Sequence, residues 1–135
     1  MKLYSDKLIR IHYSPEQGIL YAAWQEHRSY NAAEVKTAFM DVVSSARELN
    51  IRKVLLNFAD NIQDLTEEEY KTVLAQLLVG LLPTPIQKIA CIGTSSTVRK
   101  DRIMAAYNDI KESLSKPFEF RFFSSRTEAL LWLNL

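Results

Sequence analysis

The residues with the clearest potential for chemistry form a hydroxyl-rich segment that leads into a basic stretch. Thr94, Ser95 and Ser96 stand next to one another, and Arg99 follows three residues later. Hydroxyl groups and unpaired backbone N–H groups at a helix N-terminus suit a phosphate or carboxylate, and a nearby guanidinium adds charge-assisted hydrogen bonds. The segment therefore predicts an anion-binding site. In the alternative reading, the basic side chains reach solvent or Asp101.

Two further arginines, Arg28 and Arg126, come shortly after other predicted strands. The carboxyl ends of parallel strands meet at one edge of a sheet, where open α/β folds bind their ligands. Both arginines are expected to bring positive charge to the predicted anion if the strand order places them close to it. The segments expected at this edge are 27–29, 57–64, 93–97 and 124–126.

Catalytic chemistry has little support in the sequence. His12 and His27 lie in different contexts, and no serine or cysteine stands in a recognisable nucleophile motif. Cys91 lies within an apolar run, which favours a packed and inert thiol. The carboxylates of residues 67–69 point in different directions on a helix, so a solvated first turn explains them. No catalytic residue, metal site or cofactor is predicted, and the chain is interpreted as a protein other than an enzyme.

Composition indicates an ordinary globular domain. The chain has 135 residues, of which 47% are hydrophobic and 24% are charged, and its formal net charge is +1. A charge so near zero argues against general nucleic-acid binding, which depends on clustered Lys and Arg. The lone cysteine fits a reducing compartment, and no apolar run approaches the roughly 20 residues of a membrane span. We therefore predict a single cytoplasmic domain, spanning residues 1–135, without a transmembrane segment.

The elements that would position these residues alternate between strands and helices. Leu8–Tyr13 and Ile19–Trp24 predict an opening hairpin, and residues 52–60 contain a short apolar run typical of a strand buried on both faces. Further strands are predicted at Lys88–Gly93 and, towards an edge, at Phe118–Phe122. Helical spacing and capping residues predict four helices, with starts at Asn31, Thr66, Ser96 or Thr97, and Ser125. The order ββαβαβαβα predicts an α/β domain with a mainly parallel five-stranded sheet.

The second predicted helix has an unusually broad apolar stripe. Its apolar residues occupy more than half of the helix circumference, so the helix needs a second covering surface. Three partners for that surface stay open, namely the rest of the domain, a second subunit, or a bound lipid-like ligand. The residues of this candidate interface or ligand face are Leu74, Leu77, Leu78, Leu81 and Leu82.

The element order, with its opening hairpin, resembles the SpoIIAA-like fold of STAS domains, which antagonise anti-sigma factors. The resemblance extends over almost the whole chain and is closest to a bacterial STAS-like branch grouped with the CRAL-TRIO lipid-binding fold. In regulatory STAS domains, a D-S-S-G-like segment after the corresponding strand carries a phosphorylated serine. This sequence has Asp60 at the acidic position but lacks the Ser-Ser-Gly that would follow.

Thr66 has the only hydroxyl group between that strand and the next helix. Three glutamates, residues 67–69, follow it directly, so an added phosphate would meet like charges. We therefore interpret Thr66 as a helix N-cap and predict no phosphorylation switch there.

These observations favour a non-catalytic, STAS-like binding or regulatory module that acts through protein partners or self-association as a homodimer. The alternative function is a carrier or sensor of a small amphiphile. Its apolar tail would lie against the second helix, and its anionic head would lie near Ser96 and Arg99.

Overall fold

The strands and helices follow the predicted order, with one additional strand at the start. The computed structural model describes residues 2–5, 8–26, 30–57, 65–92, 97–112 and 118–135. The elements are β1 (Lys2–Ser5), β2 (Ile9–Ser14), β3 (Ile19–Trp24), α1 (Ala32–Leu49), β4 (Lys53–Asn57), α2 (Glu67–Leu81), β5 (Lys88–Ile92), α3 (Thr97–Lys111), β6 (Glu119–Phe123) and α4 (Arg126–Leu133).

The predicted α/β class, with a mainly parallel sheet and four helices, is confirmed. The sheet has one strand more than predicted, because β1 pairs antiparallel with β2. At four residues, with a bulge in its pairing to β2, β1 is too short to show a strand-like alternation of polar and apolar residues. The predicted hairpin corresponds to β2 and β3, and Gly18 closes its turn with a positive φ of 69°.

The strands lie in the sheet in the same order as in the sequence, from β1 to β6. Strands β3 to β6 are parallel, and each helix between them connects two neighbouring strands. Right-handed crossovers that always step in one direction place their helices on one face of a sheet. Accordingly, α1, α2 and α3 cover one face, and only α4 packs on the other.

We call the first of these the three-helix face. Its strand side chains are apolar, since alternate residues along each strand point to the same side. They form one core with the buried residues of α1, α2 and α3. The strand residues of this face are Ile9, Ile11, Tyr13, Leu20, Ala22, Trp24, Val54, Leu56, Ile89, Cys91, Phe120 and Phe122.

Helix α2 is the middle helix of this layer and packs against α1 on one side and α3 on the other. Its close approach to α1 occurs at Gly80, where an added Cβ would lie 2.9 Å from Val43 Cγ2. A middle helix contacts the sheet and two neighbouring helices, so it needs a broad apolar stripe. The breadth of the stripe therefore reflects the position of α2 in the layer.

The prediction of an apolar interface or ligand face on α2 is consequently wrong for most of its residues. Leu77, Leu78 and Leu81 have no exposed surface and Leu74 is 5% exposed, so the domain itself covers them. Leu82, which directly follows the helix, is partly buried and packs against the same core. Of the three covering surfaces that the sequence leaves open, the rest of the domain is the one that covers these four leucines.

Capping residues define the starts of α1 and α2 as predicted. Asn31 and Glu34 form a reciprocal capping box at α1, and Thr66 and Glu69 form another at α2. The Glu69 backbone N–H donates to Thr66 Oγ1 at 3.2 Å, and the Thr66 N–H donates to the Glu69 carboxylate at 2.9 Å. The N-cap role of Thr66 is confirmed, and the absence of a phosphorylation switch stays a prediction.

Candidate ligand-binding groove

The second side of the sheet, which we call the one-helix face, differs in composition from the first. Its strand side chains include Arg10, Lys53, Lys88 and Arg121, against one carboxylate at Glu119 among strands β2 to β6. The remaining residues of this face on those strands are His12, Ser14, Ile19, Tyr21, Ala23, Leu55, Asn57, Ala90, Ile92 and Phe123.

Helix α4 covers only part of this face, because it has eight residues. Its buried side chains Ala129, Trp132 and Leu133 pack on a small cluster that includes Leu55 and Ile92. The helix N-terminus is capped by Ser125, whose side chain accepts a hydrogen bond from the Glu128 N–H. Among the described residues, no helix covers the strands nearer β1 on this side.

Trp132 engages two of the cations of this face. Lys88 Nζ lies 5.2 Å from the centre of the Trp132 ring and donates a hydrogen bond to the Trp132 carbonyl at 3.0 Å. Arg121 Cζ also lies 5.2 Å from that ring centre. Both distances fall within the range of cation–π attraction. These two cations therefore hold α4 on the sheet.

Beside α4, the uncovered strands form a groove with a volume of about 450 Å³. This volume lies within the range of about 300–1,000 Å³ that is usual for small-molecule sites. We call it the open groove. Its lining residues come from β2, β3, β4, β5 and the first residue of α4, and they are Arg10, Ile11, His12, Tyr21, Ala22, Ala23, Leu55, Asn57, Ile92 and Arg126.

The strand register shows how the floor of the open groove is built. Arg10 is paired with Ala23, Ala23 with Asn57, and Asn57 with Ile92, so these four residues form one row across the sheet. The row lies at the carboxyl end of the parallel strands, where ligands bind in open α/β sheets. Ala23 stands between Arg10 and Asn57, and its small side chain leaves the space above it open.

An arginine and a tyrosine form one wall of the open groove. Arg126 Cζ lies 4.8 Å from the centre of the Tyr21 ring, which is a cation–π contact. The Tyr21 hydroxyl donates a hydrogen bond to Gln17 Oε1 at 2.6 Å, and the His12 ring lies 6.1 Å from the Tyr21 ring, centre to centre. The ring under Arg126 is therefore held at its hydroxyl end.

Of the residues of the predicted anion site, only Arg126 has a described side chain. Arg126 lines the open groove, at the carboxyl edge of the sheet as expected. Thr94, Ser95, Ser96 and Arg28 lie outside the described residues, and Arg99 lies in α3 with a side chain that is also outside them. The anion site at the start of α3 stays a prediction.

Sequence reasoning placed Asn57 at this edge of the sheet but missed two other contributors to the open groove, namely Arg10 and Tyr21. Part of the signal was present, because strand alternation places Arg10 and His12 together on the polar side of their strand. The missing information was which face of the sheet each crossover helix would cover. Without that information, a strand face exposed to solvent and a strand face that lines a groove show the same alternation of polar and apolar residues.

Two described groups of the kinds that often perform catalysis, a cysteine and a tyrosine, are buried. Cys91 is buried within the three-helix face. In the described part of the chain, no cluster of His, Cys, Asp or Glu has the geometry to hold a metal ion. Burial, with a smaller contribution from Glu119, raises the pKa of Tyr107, whose hydroxyl donates to the Phe118 carbonyl inside the core. Tyr107 is therefore a structural residue.

Comparison with known proteins gives no relative for this chain. No family model, curated protein or solved structure matches it. Within the described residues, no helix combines the length and the apolar character needed to cross a membrane. The site must accordingly be interpreted from its own geometry.

Proposed function

We propose that this chain is a non-catalytic binding module with a STAS-like fold, and that it binds through the open groove. The element order on which the resemblance to STAS domains rests is present in the fold. The observation that carries the proposal is the unequal cover of the sheet. One face is sealed by three helices, whereas the other retains a groove lined by charged, aromatic and amide side chains.

A protein partner or a second copy of the chain is the binding mode that the STAS resemblance favours. The buried leucines of α2 cannot provide such a contact. On the one-helix side, Leu131 of α4 is 67% exposed and Leu135 is 90% exposed, so apolar surface is available near the end of α4. A partner that covers the open groove would extend onto this helix.

The second candidate function is a carrier or sensor of a small amphiphile with an anionic head. The groove itself favours this candidate, because its volume suits a small molecule and two arginines line it. The location differs from the one expected from sequence, in that the apolar part of the ligand would lie on the sheet and not against α2. Of the two binding modes, the groove geometry supports the small ligand better.

Native mass spectrometry of freshly purified protein tests the proposal, because it detects retained ligands and second copies together. Ala23→Trp would fill the groove with an indole, and Ala105→Trp is the matched control, since Ala105 is exposed on α3. We expect the wild type and the control to retain an added small mass or a second copy, and Ala23→Trp to lose it. The same retained ligand mass and the same oligomeric state in all three folded proteins would contradict binding at the groove.

A further inference from the structure

We propose that the open groove selects small ligands in which a carboxylate or phosphate is joined to a short apolar group. The anion would bind to Arg10 and Arg126, and the apolar group would lie over Ala23, which stands between Arg10 and Asn57 in the sheet. This inference rests on the proposed function and adds the chemical class of the ligand and the residues that select it.

Two pairs of cations on the one-helix face have different surroundings. Lys88 and Arg121 are occupied at the Trp132 ring, as described above. Arg10 and Arg126 instead line the groove, and both side chains are exposed to solvent. No ion pair among the described residues engages either of these guanidinium groups. Arg10 and Arg126 are therefore the cations of the open groove that a ligand can reach.

The groove offers these arginines no internal counter-charge. Its described lining residues include no Asp or Glu, whereas the whole chain is almost neutral at +1. A cleft lined by one sign of charge raises the local concentration of ligands with the opposite sign. An anion is therefore the ligand charge that the groove favours.

The position of Arg126 limits the loss of conformational freedom when a ligand binds. Its guanidinium lies over the Tyr21 ring, and Tyr21 is held by its hydrogen bond to Gln17. A guanidinium over an aromatic ring keeps N–H donors around its rim, which match the oxygens of a carboxylate or phosphate. Arg126 is thus partly oriented before the anion arrives.

The floor of the groove explains why an apolar group should accompany the anion. Ala23 offers only a methyl group, and the largely buried side chains of Leu55 and Ile92 lie beside it. Asn57 adds an amide that can both donate and accept hydrogen bonds at the edge of this floor. A free inorganic anion would leave the apolar floor uncovered and would gain nothing from it.

Isothermal titration calorimetry with defined probes tests this selection. Phenyl phosphate and phenylacetate carry both features and distinguish a phosphate from a carboxylate. Inorganic phosphate lacks the apolar group, and 2-phenylethanol lacks the charge. We expect one or both of the first two probes to bind the wild type at least about ten-fold more tightly than either incomplete probe. 2-Phenylethanol lacks the hydrogen bonds between charged groups, which contribute about a ten-fold or greater factor in affinity. Inorganic phosphate lacks the ring, whose burial contributes a factor of about the same size.

Charge-removing variants locate the binding site. Arg10→Gln and Arg126→Gln should each weaken the better probe by about ten-fold or more. Arg47→Gln is the matched control, because Arg47 is an exposed arginine in the last turn of α1. Helix α1 packs on the three-helix face, which is the opposite side of the sheet. Equal binding by Arg10→Gln, Arg126→Gln and Arg47→Gln, or equal affinity for 2-phenylethanol and the anionic probes, would overturn the inference.

Failure of this inference is distinguishable from failure of the proposed function. If Ala23→Trp removes the mass retained by the wild type while the charge variants bind the probes like the control, the groove binds a ligand of another class. If Ala23→Trp changes neither the retained mass nor the probe affinity, both the inference and the proposed function are wrong.

Discussion

The two faces of the sheet differ in how many helices cover them and in how polar their side chains are. The three-helix face combines apolar strand residues with three helices, and most of the side chains in this core are buried. The one-helix face has a smaller apolar cluster under α4 and a groove lined by arginines beside it. Burial of apolar surface is the main favourable term in folding, so the first face should dominate stability. The groove beside α4 can carry polar groups because the main apolar core does not include them.

The broad apolar stripe of α2 is misleading as a sign of a binding surface. Helix α2 is the middle of three helices, and its leucines meet the sheet, α1 and α3. Its exposed side retains residues such as Val79, which is 56% exposed. The broad stripe reflects the central position of α2 in its layer, and the binding surface that we propose lies on the other side of the sheet.

The largest expected effect is at the centre of the three-helix face. Leu78→Ala should lower the free energy of unfolding by about 2–5 kcal/mol, because Leu78 has no exposed surface and its loss leaves a cavity. The matched control, Val79→Ala, should change it by no more than about 0.5 kcal/mol. Urea unfolding of both variants measures this. If both variants lowered the free energy of unfolding by the same small amount, Leu78 would be exposed on α2 and available to a partner.

A second test concerns the hydrogen bond that joins α3 to the segment before β6. Tyr107→Phe should lower the free energy of unfolding by about 1–3 kcal/mol at neutral pH, since the buried carbonyl of Phe118 loses its donor. Because burial raises the pKa of Tyr107 above its ordinary 10.0, the folded state resists ionisation of this phenol. Stability from this group is complete below pH 10 and falls as the pH rises further.

The pH dependence supplies the control for this variant. The difference between wild type and Tyr107→Phe should shrink in urea titrations as the pH is raised above 10, whereas it should be constant between pH 6 and pH 9. A difference that grows at alkaline pH would contradict the buried, hydrogen-bonded phenol.

A smaller effect is expected where α1 and α2 approach most closely. Gly80→Ala improves helix propensity by about 1 kcal/mol, but its Cβ would lie 2.9 Å from the stiff Val43 side chain. Overpacking costs typically about 1–3 kcal/mol, so the net change should be a loss of about 1 kcal/mol. In a double-mutant cycle, Val43→Ala should restore most of this loss. Stabilisation by Gly80→Ala alone would show that the helices are not in close contact.

The smallest effect on stability is expected on the one-helix face. Arg10→Gln should change the free energy of unfolding by no more than about 0.5 kcal/mol, because Arg10 is exposed and the core does not include it. Thermal unfolding without ligand measures this. A large loss would assign Arg10 a structural role and would weaken the distinction between the two faces.

The sequence predicts the fold better than it predicts the site. The buried strand after α1, the hairpin and the capping boxes of Asn31 and Thr66 are local patterns, and each has a local physical cause. The open groove has no such pattern. It brings Arg10, Asn57 and Arg126 together from positions far apart in the chain, and it exists because all three crossover helices lie on one side of the sheet. Strand order is a long-range property, so periodicity cannot supply it.

The central claim is that the uncovered part of the one-helix face is the surface that binds. Amide-resolved NMR of the wild type, titrated with phenyl phosphate, measures this residue by residue. We expect the largest chemical-shift changes at Arg10, Ala23, Asn57 and Arg126, while the amides of Leu74–Leu81 in α2 stay unchanged. Changes centred on α2, or no change at millimolar probe in a folded protein, would contradict it.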